Sequence, residues 1–199
     1  MDDDGNLSDR QWVVGYPGWS TRERSWIPYL SVRTHMTTSD GNTLEKWASI
    51  VASSLTWDQA HVSLNRAVEG LAPALRGKRP PNFPHSVWEL LDHIRRTQHD
   101  LLEFCTNPSY HEPKWPDDYW PAAPEPPSEA DWLQCLNAIR ADAQALADFT
   151  VRSAATLTER IPHGTGQTYL RTVLVAMDHT SYHVGQIVAV RRLLGAWST

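Results

Sequence analysis

A spacing of three and four between apolar residues, sustained over most of the chain from Thr43 onward, is the strongest constraint on the fold. Leu44, Trp47, Val51 and Leu55 follow it, and so do His61, Leu64, Val68, Leu71 and Leu75. Further on it recurs through Leu90, Ile94, Leu101 and Cys105, and again through Trp132, Leu136, Ile139, Ala143 and Leu146. This is the period of a helix that buries one face. The first two runs are expected to form the first helix, with Thr56 or Asp58 as a cap between them and Gly77 and Pro80-Pro81 as the stop. Ser86-Val87-Trp88-Glu89 has the form of a capping box, and Asn107-Pro108 ends the helix it opens. A third helix is expected over 128–150 and a fourth over about 166–194. No alternating strand pattern and no internal repeat competes. The expectation is an all-α four-helix bundle over residues 41–199. Residues 1–40, with Trp12, Trp19 and Trp26 but no apolar period, are expected to be an extension, weakly ordered or packed on a neighbour.

Between the second and third helices, Pro108 to Pro127 hold seven of the 14 prolines together with Trp115, Tyr119 and Trp120. Proline restricts the unfolded chain, and a connection this long inside a compact domain is often functional. The three aromatics are candidate pocket residues, with packing over the end of the bundle as the alternative. The net charge of -5 and the lack of a basic run argue against a nucleic-acid partner. No apolar stretch is long enough to span a bilayer, so no membrane role is expected. The acidic start MDDDGNLSDR lacks the apolar segment of a signal peptide, and Cys105 and Cys135 form no CxxC pair. A cytoplasmic protein is therefore expected, with a homodimer as the default assembly.

Two histidines break the pattern of the last helix. His179 and His183 are four residues apart, on the side that also carries Ala176, Ile187 and Val190, while Arg171, Asp178 and Arg192 lie opposite. An i, i+4 pair brings two imidazole nitrogens close enough for one metal ion, as in HExxH zinc helices. Thr180 stands where that motif has glutamate, so the peptidase reading fails. On the second helix His93 shares a side with Leu90, Thr97, Leu101 and Phe104, with Glu89, Asp92, Arg96, His99 and Glu103 on the other. Three inward histidines make a facial ligand set that leaves positions open for substrate. A lone inward histidine is more often a hydrogen-bonded core residue, and that is the expected role of His61. Gln186 and His163 are candidate catalytic residues. Against these stand a glutamine bonded to a carbonyl and an ordinary loop histidine. Glu89 and Asp92 could orient His93, although exposed helix carboxylates are commoner. His35, His85, His99 and His111 are expected at the surface.

Trp88-Glu89-Leu90-Leu91-Asp92-His93-Ile94, with Asp178-His179-Thr180-Ser181-Tyr182-His183-Val184-Gly185-Gln186-Ile187, resembles the DinB/YfiT-like superfamily over roughly residues 43–197. The resemblance implies an up-down-down-up four-helix bundle with a long crossover. It implies one divalent metal ion, nickel, zinc, iron or manganese, on His93, His179 and His183. Relatives include thiol S-transferases that use low-molecular-weight thiols and the mycothiol-dependent maleylpyruvate isomerase. The expected function is therefore a metal-dependent thiol S-transferase acting on a small electrophile, with His61, Trp115, Tyr119 and Trp120 about the substrate. A metal-dependent hydrolase of a small ester or amide, and a non-catalytic metal-binding bundle, are the alternatives.

Overall fold

The structure, a computed structural model, describes residues 38–56 and 60–197. The expectations for the extension, for His35 and for Asp58 lie outside these residues, apart from Thr38, Ser39 and Asp40, which open the first helix. Among the described residues, five α-helices follow in order: α1 Thr38–Ser54, α2 Leu64–Val68, α3 Val87–Thr106, α4 Glu129–Arg152 and α5 Tyr169–Leu193, with a 3-10 turn at Pro73–Leu75. Among the described residues there is no strand. An isolated antiparallel bridge, Arg160 to Thr168, closes the hairpin that leads into α5. Among the described residues no helix is long and apolar enough to cross a membrane.

Helix ends fall where backbone chemistry places them. Ser86 accepts from the Glu89 N–H, and the Glu89 carboxylate accepts from the Ser86 N–H, completing the expected capping box of α3. Ser128 and Thr168 cap α4 and α5 in the same way, each accepting from the N–H three residues on.

The run from His61 to Leu75 does not form one helix. Ser63 caps a single short turn, Gly70 takes a left-handed φ of 67° just past Glu69, and Pro73 opens a separate 3-10 turn. Glycine in that conformation ends a helix and proline cannot continue one. Apolar spacing alone did not separate this broken path from a continuous helix. His61 is exposed, not inward, with its Nδ1 2.9 Å from the Val62 carbonyl. On α1 the buried positions are Ala48 and Ala52, while Trp47, expected on the buried stripe, is 62% exposed.

The main core gathers Val87, Leu90, Leu91 and Ile94 of α3 with Trp132, Leu136 and Ile139 of α4 and Val184, Ile187 and Val190 of α5. A smaller cluster joins Leu101, Leu146 and Ala176. His93 lies near His183, whereas Leu101 meets Ala176 and Cys105 meets Thr172, so α3 and α5 run antiparallel.

The first half of α3 is enclosed on every side, since each residue from Ser86 to Ile94 is buried. That overturns the expected solvent face. Glu89 and Asp92 are buried and paired, Glu89 with Arg79 and Asp92 with both Arg95 and Arg96 at 2.7 Å. A buried carboxylate persists only with such partners. The proline-rich connection accounts for part of the enclosure. Arg96 donates to the Asp118 carbonyl, and the Ser86 hydroxyl donates to the Pro124 carbonyl. Gly77 permits the close approach of Glu125, whose Cα would lie 2.8 Å from a Cβ added there.

Candidate metal centre

His93 enters the site from the enclosed half of α3, and His179 and His183 enter from α5, one helical turn apart. His93 and His183 are each 1% exposed, while His179 is partly exposed. Each histidine offers a ring nitrogen to the cluster, all within 4.8 Å of one another. The Nε2 atom of His179 lies 3.0 Å from that of His93 and 3.1 Å from that of His183.

The hydrogens on the rings are fixed by what surrounds them. His93 Nδ1 is 2.8 Å from the Tyr119 carbonyl, which can only accept, so Nδ1 carries the hydrogen and Nε2 is bare. His183 Nδ1 donates in the same way to Gln186 Oε1 at 2.7 Å. Burial lowers His93 to about 4 despite the Tyr119 carbonyl, and burial followed by the neighbouring imidazole lowers His183 to about 4. Burial, then His183 and His93, take His179 down to about 2. All three rings are therefore neutral at pH 7. The bare nitrogens of His93 and His183 both face His179, whose single Nε2 can satisfy only one of them.

A cation would resolve this arrangement, and the donor set could hold one. At a metal–nitrogen distance of about 2.1 Å, nitrogens roughly at right angles sit about 3 Å apart, which is the separation of His179 Nε2 from each of the other two. Neutral imidazoles suit zinc, nickel, iron and similar ions. The outer nitrogens are held by a carbonyl and an amide oxygen, the usual support for histidine ligands.

The other candidates fall into place around this cluster. Trp120 stacks parallel to His93, with 3.9 Å between centroids and 4° between planes. Trp115 is 46% exposed and meets the His93 ring edge-on at 6.5 Å. The Tyr119 carbonyl reaches His93, while its hydroxyl donates to Asp100 at 2.8 Å and its ring packs against Trp115 at 5.4 Å. Gln186 reaches the site through His183 and donates from Nε2 to the Tyr182 hydroxyl.

His163 lies apart from the cluster. It donates to the Phe104 carbonyl at 2.9 Å, and Phe104 is eleven residues, or roughly 16 Å of helix, beyond His93. His61 is likewise placed by the exposed turn before α2. Glu89 and Asp92 bond to arginines, Glu89 to Arg79 and Asp92 to Arg95 and Arg96.

Three contributors carried little or no sequence signal. A backbone carbonyl such as that of Tyr119 leaves none. His85, expected at the surface, is half-buried and stacks on Trp120 at 4.3 Å. Tyr182, 44% exposed, lies between His179 and His183 in sequence and packs edge-on against His183 at 5.0 Å.

No curated protein and no solved structure matches the chain. A sequence model described as the DinB superfamily matches residues 56–187, a segment that contains all three histidines, and on that match the chain belongs to the DinB superfamily.

Proposed function

We propose that His93, His179 and His183 hold one divalent cation, nickel, zinc, iron or manganese, and that the site transfers a low-molecular-weight thiol to a small electrophile. The observation that carries this reading is the convergence of neutral Nε2 atoms 3.0 and 3.1 Å apart, with the outer nitrogens of His93 and His183 occupied. A cation held there supplies Lewis acidity that favours the thiolate form of a small thiol. The Tyr119 carbonyl and Gln186 keep the hydrogens of His93 and His183 on Nδ1. Enclosure of α3 excludes water from one side of the cluster. On the other side His179 is partly exposed, and Trp115 and Tyr182 offer ring faces to an apolar substrate. The thiol loses its proton to solvent, its sulfur bonds to the electrophilic carbon, and the displaced group leaves with the bonding electrons.

That the thiol comes from outside the chain is supported by its own cysteines. Cys105 and Cys135 are buried, and burial pushes both thiols up to about 12, so neither furnishes a nucleophile at neutral pH. The fold that goes with this reading is an up-down-down-up bundle, with the protein acting as a cytoplasmic homodimer.

Elemental analysis of protein purified without a histidine tag tests the site, with about one equivalent of metal per chain expected. A panel of small thiols with a chromogenic electrophile then tests the chemistry, with release expected only when thiol is present. Equal release without thiol identifies a hydrolase instead, and metal with neither activity identifies a binding protein. Absence of metal overturns the whole reading.

A further inference from the structure

His179 and His183 share one helix, so their relative placement is set by helical geometry. His93 comes from a different helix, and its aim decides whether the three nitrogens meet. Two consecutive residues of the crossover control that aim. The Tyr119 carbonyl fixes which His93 nitrogen carries the hydrogen. The Trp120 ring, parallel to His93 within 4°, opposes any tilt of the imidazole plane, and His85 lies parallel to the same indole within 14°. The segment is itself fastened to α3. The Tyr119 hydroxyl and the Tyr110 hydroxyl donate to the two oxygens of Asp100, and Arg96 donates to the Asp118 carbonyl.

We propose that Trp120 and the Tyr119 carbonyl are positioning groups of the metal centre, and that closure of the crossover on α3 and cation binding form one linked equilibrium. This rests on the reading of the three histidines as a cation site. It moves Trp120 from the substrate to the ligand, and linkage makes the effect reciprocal: a bound cation holds the crossover, and a seated crossover tightens cation binding.

Two variants and one measurement on the parent protein test it. Trp120→Leu keeps apolar volume without a flat face, and Trp120→Phe restores a flat ring. Zn2+ affinity is read by competition with a chromogenic chelator, and ligand geometry by the visible absorption of the Co2+-loaded protein. The leucine variant is expected to bind Zn2+ about tenfold or more weakly and to shift the Co2+ bands. The phenylalanine variant is expected to recover most of both, with unchanged far-ultraviolet circular dichroism. In the parent, Zn2+ is expected to slow hydrogen exchange at the amides of Asp118 and Tyr119, which bond to Lys114 and Pro116 within the crossover. Exchange there that ignores Zn2+, or a leucine variant with the parent's affinity and spectrum, overturns the proposal while leaving the cation site standing. A parent protein that takes up no Zn2+ overturns both.

Discussion

A histidine ligates only through a bare nitrogen, so the partner of the other nitrogen decides what the ring can do. For His183 that partner is Gln186, three residues on along the same helix. Gln186→Leu leaves the Nδ1–H without its acceptor and is expected to weaken metal binding about tenfold, with helix content unchanged. Gln186→Glu keeps an acceptor and is expected to retain binding, and chelator competition separates the two. Replacing His179 or His183 by alanine is expected to remove most of the metal while the helical dichroism persists, since the apolar cluster of α3, α4 and α5 is left in place. The histidine pair was legible in the sequence because helical spacing alone places i and i+4 on one side. The support for His93 was not, because a carbonyl from a connection 26 residues away has no residue type to announce it.

At the scale of the element, α3 shows why a polar stripe does not guarantee exposure. Glu89 lies at the start of the helix, where it closes the capping box and also meets Arg79. Burial raises the Glu89 carboxyl, but Arg79 and the Ser86 N–H outweigh that and leave it below its ordinary value. Because the folded form holds its proton less tightly than the unfolded chain, the contribution is present above the unfolded value of about 4.3. It is lost as pH falls through the lower folded one. Glu89→Gln preserves the cap and removes the charge. With Arg79 half-exposed, the loss at pH 7 is expected to be about 1 kcal/mol. Urea titrations should show this difference at pH 7 and show it shrinking below pH ~4. A difference that persists unchanged at acid pH would assign the effect to packing. The ends of α3 were readable because Ser86 and Asn107-Pro108 act locally, whereas α5 begins at Tyr169 behind the cap Thr168, three residues later than expected. The burial of Glu89 and Asp92 was not readable, because it depends on which distant segments cover that face.

Across the whole molecule, α3 and α5 build the histidine cluster and the connection between α3 and α4 completes its surroundings. Composition marked residues 108–127 as more than a linker but could not say which aromatic would face the histidines. The outcome splits three neighbours. Trp120 turns to His93, Trp115 remains half-exposed beside it, and Tyr119 carries its hydroxyl to Asp100. Asp100 is thus the point where the crossover is latched to the middle of α3. Its carboxyl is raised by burial in spite of the two tyrosine hydroxyls it accepts. Asp100→Leu removes that shared acceptor, and the buried Tyr119 hydroxyl loses its bond to it. The expected cost is about 2 kcal/mol of global stability, seen as a lower urea midpoint. A latch makes a further demand that a simple core residue does not. With the crossover loosened, the Tyr119 carbonyl no longer holds His93, so Zn2+ affinity should fall in parallel and proteolytic cleavage within residues 108–127 should accelerate. Added Zn2+ should slow that cleavage. A variant that loses stability yet binds Zn2+ as the parent does would reduce Asp100 to a packing role and separate the crossover from the metal centre.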